Sequence, residues 1–255
     1  MIEYAGTRYS GWQVQKNART IQGELDRAVR ASLKPHKYEL YGSGRTDAGV
    51  HALAQVAHLD MATNLPPESL RRRLNDELPA DINILSVEAA THRFHARHSA
   101  VSRSYLYQIA RRRSAFGKAL VWWVREPLDV ERMREAATLF SGLQDFQSFT
   151  DDDAEEKSTK VKLDPIEIAE RGDLVLIRVS GSHFIWRMVR RIIGVLVAVG
   201  TGELQMDDVR EFLDAKSATP ARLTAPASGL FLEHVYYEGD KRLKDLTPVL
   251  NLLPG

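Results

Sequence analysis

The sequence predicts an α+β protein composed of two ferredoxin-like halves, residues 1–103 and 104–255. The first observation is that one order of elements, β-α-β-β-α-β, can be read twice along the chain. This order predicts helices on one face of an antiparallel sheet in each half. The second is that 255 residues, 44% of them hydrophobic, are enough for one large core or two smaller ones. No residue-level repeat accompanies the repeated order, so a common origin of the halves does not follow.

The spacing of apolar residues and the prolines at helix ends predict the elements of the first half. Apolar residues at helical spacing predict a helix from Thr20 to about Leu33. A second helix, Pro67 to Leu78, has proline at its start and Pro79 directly after it. Strands are predicted, in order, at about 1–5, 38–41, 52–60 and 82–89.

The second half repeats this order after a predicted strand at 104–110. Its elements are, in order, a helix at 129–140, β-like segments at 160–169 and 174–179, a long helix at 184–199, a short helix at 207–215 and a last strand at 229–237. On the long helix, Arg187, Arg190 and Arg191 are predicted to share one face opposite an apolar stripe. The same three arginines interrupt the longest apolar run, so we predict no membrane span.

The absence of cysteine and the first residues of the chain limit the possible catalytic chemistry and the cellular compartment. The sequence contains no cysteine, which excludes disulfides, thiolate metal ligands and thiol nucleophiles. The first residues, 1–4, show no basic region followed by an apolar one, so no secretory signal is expected. We therefore expect a cytoplasmic protein.

A net charge of +1 conceals a strongly basic interval at residues 89–125. This interval contains eight Lys or Arg residues and no Asp or Glu, with aromatic residues interleaved. Arginines bind phosphates and aromatic rings stack on bases, so the pattern indicates binding of looped or single-stranded RNA. The alternative is a solvated basic face with core aromatics behind it. Acidic residues concentrate at 151–156, which we interpret as a surface loop.

The stretch from Gly42 to Ala52 contains one candidate reactive group, the carboxylate of Asp47. Glycines around it relax the backbone and permit close approach of a substrate. The guanidinium of Arg45, two residues earlier, favours the ionised carboxylate that a nucleophile requires. The alternative is an ordinary surface turn in which Asp47 is a cap and Arg45 a solvated charge.

The segment Gly-Arg-Thr-Asp-Ala-Gly-Val-His-Ala, residues 44–52, resembles the catalytic motif of the tRNA pseudouridine synthase A family. Four further blocks of the chain resemble the other motifs of that family, in the same order: 3–15, 94–97 with 103–107, 188–194, and 225–232. The resemblance implies the pseudouridine synthase fold, in which two ferredoxin-like halves meet at a central basic cleft. It also implies isomerisation of uridine to pseudouridine at positions 38, 39 and/or 40 of the tRNA anticodon arm.

The resemblance assigns roles to individual residues. It implies that Asp47 is the nucleophile and that Arg190 lies near it. Arg45 and Arg190 would keep Asp47 ionised and help hold the extruded nucleotide. Tyr105 and Leu230 would enclose the extruded base, which requires apolar walls. An isomerisation adds and removes nothing, so no cofactor is expected. The resemblance further implies a homodimer in which one tRNA contacts both subunits.

Further RNA contacts are predicted for Arg97 and Arg103, and for four residues of the opening block: Tyr9, Trp12, Gln13 and Gln15. For the opening block the alternative is a packed hairpin. A metal site is not predicted, because His92, His95 and His98 are interleaved with arginines that repel a cation. One departure from the family pattern is Lys160 after Thr159, where the family more often has Arg.

Two other functions remain as alternatives. A non-catalytic RNA-binding protein of paired ferredoxin-like folds would explain the basic interval, but its usual aromatic sheet signature is absent. A metal-dependent nuclease using Asp151 to Asp153 would need carboxylates converging from separate elements. Neither alternative accounts for the segment at 44–52.

Overall fold

The computed structural model describes residues 1–152 and 158–249. Contacts divide the chain into two compact units. The first unit comprises Met1–Val101 and Phe231–Lys241, and the second comprises Ser102–Leu230 and the residues from Arg242 onwards. Both units combine helices with mostly antiparallel strands, so the prediction of an α+β protein is confirmed.

The first unit contains two α-helices. These helices and all but one of its strands precede residue 101. They are β1 (Ile2–Tyr4), α1 (Ile21–Leu33), β2 (Tyr38–Gly42), β3 (His51–Gln55), β4 (Ala57–Met61), α2 (Pro67–Glu77) and β5 (Ile82–Ile84). The start of α1 follows from its sequence, because the hydroxyl of Thr20 accepts a hydrogen bond from the Gly23 N–H at 3.2 Å.

Among its described residues, the second unit contains four α-helices. Its elements are β6 (Ser102–Ala110), β7 (Trp122–Trp123), α3 (Val130–Thr138), β8 (Gly142–Asp145), β9 (Lys160–Leu163), β10 (Glu167–Arg171), β11 (Leu174–Gly181), α4 (Met188–Gly200), α5 (Met206–Asp214) and α6 (Thr219–Arg222). The last strand, β12 (Leu230–Tyr236), belongs to the first unit from Phe231 onwards.

In the first unit the sheet order is β5-β1-β3-β12, and β12 runs parallel to β3. A separate antiparallel ribbon is formed by β2 and β4. The single strand predicted at 52–60 is therefore wrong, because the chain changes partners at Val56, whose carbonyl accepts from the Ser43 N–H at 2.7 Å. The strand predicted at 82–89 ends at Ile84, since the next two amides both donate to the Met1 carbonyl.

In the second unit β6 and β11 pair along eight residues each, and the order continues through β9 to β8. The segment predicted as one strand at 160–169 is two strands. Pro165 between them lacks an N–H group, and the preceding Asp164 N–H donates to the Ser180 carbonyl at 2.9 Å. Strands β7 and β8 are not predicted from the sequence, because they are only two and four residues long.

The long helix α4 is shorter at its start than predicted, and almost all of its residues are buried. Arg187 lies before the helix with a left-handed backbone, φ 62°. Arg191 is only 3% exposed, because its guanidinium donates to the Thr150 carbonyl at 2.7 Å and to the Asp151 carboxylate. The prediction that the three arginines share an exposed face is therefore wrong. Of the acidic run at 151–156, residues 153–156 lie outside the described residues.

None of the helices in the described part of the chain has the length and hydropathy needed to cross a membrane.

The close approach of α4 to a neighbouring segment yields a stability prediction. A Cβ on Gly194 would lie 1.7 Å from the Leu223 carbonyl oxygen. We expect Gly194→Ala to lower the free energy of unfolding by about 1 to 3 kcal/mol, as overpacked cores do. Urea denaturation followed by circular dichroism measures the change. Helix propensity alone favours alanine by about 1 kcal/mol, so a variant as stable as the parent would contradict the packing argument.

Candidate active site

Asp47 lies in the loop that connects β2 to β3. Its side chain is half-buried, and that of Arg45 is exposed. The loop turns back at Asp47, whose carbonyl accepts from the Val50 N–H at 3.1 Å, and Gly49 adopts a φ of +80° that favours glycine. The only candidate nucleophile of the motif is thus at the bend of a tight turn.

The opening block of the sequence holds this loop in place. The Trp12 N–H donates to the Thr46 carbonyl at 3.1 Å, and the Gly49 N–H donates to the Tyr9 carbonyl at 3.2 Å. The hydroxyls of Tyr4 and Thr46 share a buried hydrogen bond of 2.9 Å. Thr46, between Arg45 and Asp47, is therefore fixed through both its backbone and its side chain.

The other side of the loop is held from β3. The Ser43 hydroxyl donates to Gln55 Oε1 at 2.6 Å, and Gln55 Nε2 donates to the Gly44 carbonyl at 3.1 Å. Gln55 is 0% exposed. Sequence reasoning missed Thr46 and Gln55 as supports of Asp47. The signal in the sequence is Gln55 itself, an amide at the end of an otherwise mostly apolar strand.

The opening block is more buried than an RNA-contacting segment requires. Trp12 is 2% exposed, and a Cβ on Gly42 would lie 2.5 Å from its ring. The Tyr9 hydroxyl donates to Asp81 at 2.6 Å, and burial together with that carboxylate raises the pKa of Tyr9. Trp12 and Tyr9 are therefore packed side chains, as the alternative of a packed hairpin predicts. RNA contacts remain a prediction for half-buried Gln13 and exposed Gln15.

Arg97 follows a turn that is anchored through Ala96. The Ala96 N–H donates to His58 Nδ1 at 3.1 Å, and the Tyr237 hydroxyl donates to the Ala96 carbonyl at 2.8 Å. The side chain of Arg97 is exposed, while its N–H donates to His95 Nδ1 at 3.1 Å. The surface position of Arg97 is compatible with its predicted contact to RNA.

In the second unit, Tyr105 and Leu230 are both buried, at 9% and 4% exposure. Tyr105 lies on β6, and the ring of Phe184 meets it edge-on with centroids 4.9 Å apart. Leu230 follows a short turn that is fixed by the Tyr107 hydroxyl, which donates to the Pro226 carbonyl at 2.8 Å. Burial raises the pKa of Tyr107 well above its ordinary value, so this hydroxyl stays a donor.

Arg190 joins the start of α4 to the segment that leads to Leu230. Its Nε donates to the Ala225 carbonyl at 2.7 Å, and the Ala225 N–H donates to the Arg190 carbonyl at 3.0 Å. Arg103, on β6, is half-exposed and donates to the Ser182 carbonyl at 3.3 Å. Each of these predicted site residues is thus tied to backbone of its own unit.

The predicted site residues divide between the two units. Asp47, Arg45, Arg97 and the opening block belong to the first unit, and Tyr105, Arg103, Arg190 and Leu230 belong to the second. Their convergence on one substrate stays a prediction. Among residues 1–152 and 158–249, no group of three or more His, Asp or Glu residues is arranged to hold a metal ion.

Comparison with known proteins identifies the family. The profile of a family described as tRNA pseudouridine synthase matches residues 1–99 and 136–238. The chain belongs to the tRNA pseudouridine synthase family. Membership means that the protein is an enzyme that isomerises uridine in tRNA, and the resemblance noted in the sequence is confirmed.

Members of the family resemble this chain over nearly its full length. The tRNA pseudouridine synthase A of Rhodopseudomonas palustris (strain BisA53) is 42% identical over 241 residues, covering 93% of this chain and 98% of the relative. That of Nitrobacter winogradskyi is 42% identical over 246 residues, covering 95% and 96%. The tRNA pseudouridine synthase A 2 of Clostridium tetani is 38% identical over 240 residues, covering 92% and 96%.

Among solved structures, a chain in the crystal structure of a Cbf5-Nop10-Gar1 complex is similar at a TM-score of 0.36 and 12% identity. The similarity covers 78% of this chain and 54% of that chain, and it is too low to establish a shared fold.

The support of the catalytic motif by the opening block can be tested at Gly11. Its φ is +89°, and a Cβ there would lie 2.5 Å from the Thr46 carbonyl oxygen. We expect Gly11→Ala to displace the loop and to lower the rate of uridine isomerisation about a hundredfold, as a misplacement near 1 Å does. The rate is measured as pseudouridine formed per enzyme under saturating tRNA.

Gly172→Ala is the matched control for this substitution. Gly172 has a φ of +57° and nothing within 4 Å of the added Cβ, so only the backbone cost of about 1 to 2 kcal/mol applies. Equal rates for the Gly11→Ala and Gly172→Ala variants would contradict a role for Gly11 in holding the motif.

A pH dependence is expected from the turn at Ala96. Burial and the neighbouring His95 lower the pKa of His58. The unfolded chain, in which histidine titrates near pH 6.5, therefore binds a proton first as the pH falls, and stability decreases below that pH. In His58→Asn, whose amide oxygen can still accept from the Ala96 N–H, we expect a smaller loss of stability between about pH 7 and pH 5. Urea denaturation at both pH values measures it, and an unchanged loss would exclude His58 as the titrating group.

Proposed function

We propose that this enzyme converts uridine to pseudouridine in the anticodon arm of tRNA, at positions 38, 39 and/or 40, with Asp47 as the nucleophile. The observation that carries the proposal is the way in which the motif is held. Hydrogen bonds of Thr46 with Tyr4 and Trp12, and of Gly49 with Tyr9, fix the residues on either side of Asp47, while Asp47 itself remains half-buried. A preorganised nucleophile needs this combination of a fixed backbone and access.

The chemistry follows from the overall reaction. The bond from ribose C1′ to uracil N1 breaks, the base turns within the site, and C5 joins to C1′. The hydrogen on C5 leaves as a proton, and N1 takes up a proton. Asp47 would attack either C1′ of the sugar or C6 of the base. Nothing is gained or lost overall, so the proposed reaction requires no cofactor.

Tyr105 and Leu230 are proposed to enclose the extruded base. Both side chains are buried, at 9% and 4% exposure. The Phe184 ring packs against Tyr105, and the Tyr107 hydroxyl fixes the turn before Leu230. Removing a uridine from the RNA stack costs a few kcal/mol, which apolar walls offset. Arg45 and Arg190 are proposed to keep Asp47 ionised and to help hold the nucleotide.

Phosphate contacts are proposed for Arg97 and Arg103 in the basic interval. Not every cation there is equally available, because Arg111 pairs with Glu170 at 2.5 Å and Arg112 pairs with Asp173 at 2.6 Å. Binding of tRNA through the remaining cations would weaken as salt concentration rises.

The finer points of architecture are part of the same proposal. In the first unit the strand order β5-β1-β3, with the β2–β4 ribbon, supports a ferredoxin-like half. We extend this topology to the second half and propose a homodimer that acts on tRNA in the cytoplasm. The rival function, RNA binding without catalysis, would not need the supported Asp47 loop.

The decisive test is release of tritium from C5 of uracil in a 5-tritiated tRNA transcript, in buffer containing EDTA. We expect the parent to release tritium and Asp47→Asn to bind the transcript while releasing it at least about a thousandfold more slowly, as loss of a nucleophile does. Asp76→Asn, which changes an exposed carboxylate on α2, is the matched control and should act like the parent.

Two outcomes would count against the proposal. A parent enzyme that binds tRNA and releases no tritium from any transcript would favour the non-catalytic alternative. An Asp47→Asn enzyme as fast as the parent would remove Asp47 from the chemistry.

A further inference from the structure

An exposed tryptophan lies directly before helix α4, in the loop of residues 182–187 that connects β11 to that helix. Trp186 is 49% exposed, although a protein interior would gain from burying so large an apolar ring. The guanidinium carbon of Arg187 lies 4.7 Å from the centroid of its ring. Together the two side chains form a cation–π pair at the surface of the second unit.

This pair is held in place by the two aspartates at the start of the acidic run. Asp152 Oδ2 accepts from the Trp186 N–H at 3.2 Å, and Asp151 accepts from Arg187 Nη1 at 3.1 Å. Arg187 also adopts a left-handed backbone, φ 62°, which is strained for an L-residue. A strained residue that neighbouring groups hold in position is typical of functional segments.

The same loop contacts both residues of β6 that are proposed to bind RNA. Phe184 meets the ring of Tyr105, and the Ser182 carbonyl accepts from Arg103. Trp186 is two residues beyond Phe184 in the sequence. The loop that contacts Tyr105, the proposed base-binding residue, thus also carries an exposed aromatic ring.

We propose that the Trp186–Arg187 pair is a stacking platform for one unpaired base of the anticodon loop, a base that neighbours the isomerised uridine. The inference rests on the proposed function and adds to it a binding site for a second nucleotide. Aromatic rings and arginine planes stack on the faces of splayed bases, which is how proteins recognise looped RNA. One indole beside one guanidinium matches the area of a base and is far smaller than a protein interface.

The charge of the platform predicts how it binds. Asp151 pairs with both Arg187 and Arg191, and Asp152 accepts from the Trp186 N–H. Two carboxylates therefore offset two guanidinium charges, and the platform contributes little net positive charge. Its contribution should therefore arise from stacking and should vary little with salt concentration. A phosphate contact such as that proposed for Arg103 should instead weaken as salt rises.

The first experiment measures binding of an anticodon stem-loop RNA to Asp47→Asn enzyme, so that no turnover interferes. We expect Trp186→Ala to weaken binding about tenfold, the effect of losing one stacked base, at both low and high salt. Trp186→Phe, which retains an aromatic face, should restore most of the affinity. Circular dichroism and thermal melting establish that each variant is folded.

Leu143→Ala provides the matched control. Leu143 is also in the second unit, lies on β8 outside the basic interval, and is 66% exposed. It should change binding by less than about twofold. Equal losses in the two alanine variants would assign the effect to exposed apolar side chains in general and would overturn the platform.

The second experiment identifies the base. Each loop nucleotide except the target uridine is replaced in turn by an abasic residue, and binding is measured to the enzyme that retains Trp186 and to the Trp186→Ala variant. The platform requires one position at which the abasic RNA and the Trp186→Ala substitution cause losses that do not add. Additive losses at every position would overturn it.

These results separate the platform from the proposed function. A parent that releases tritium while Trp186→Ala binds RNA normally would leave the catalytic proposal intact and exclude the platform. A parent that releases no tritium would refute the catalytic proposal, and the abasic scan would still decide whether a loop base stacks on Trp186.

Discussion

The support of the loop that carries Asp47 depends on the hydrogen bond between the Trp12 N–H and the Thr46 carbonyl. Gly11 brings the two segments close enough for that bond, and the hydroxyls of Tyr4 and Thr46 reinforce it. A carboxylate nucleophile has little intrinsic reactivity, so its use depends on being held in one place. The opening block of this chain therefore has a structural reason to accompany the segment at 44–52, although α1 and β2 lie between them in the sequence.

A comparable arrangement occurs in the second unit around Arg190. Two hydrogen bonds between Arg190 and Ala225, one from the side chain and one from the backbone, join α4 to the segment before Leu230. The Tyr107 hydroxyl fixes the same segment one residue later. In the first unit the bound residue is Thr46, next to Asp47, and in the second unit it is Arg190 itself. In both units these hydrogen bonds limit the movement of a side chain proposed for the reaction.

The sequence predicted the elements with strong periodicity and missed those that depend on distant partners. The helices α1, α2, α3 and α5 lie within two residues of their predicted limits, since caps and apolar spacing are local signals. The division of β3 from β4 at Val56 depends on Ser43, directly after β2, and the burial of Arg191 depends on Asp151 forty residues away. The family and its candidate nucleophile were readable from the motif at 44–52, whereas the supporting roles of Thr46 and Gln55 needed coordinates.

The first unit takes its final strand from the other end of the chain, and this affects folding during synthesis. Because β12 pairs with β3 through Phe231 and Leu232, that edge of β3 lacks its native partner until those residues have left the ribosome. At about 5 to 20 residues per second, the delay after the other strands have emerged is of the order of ten seconds. During that time the nascent chain exposes an unpaired strand edge, a site at which chaperones and aggregating chains compete.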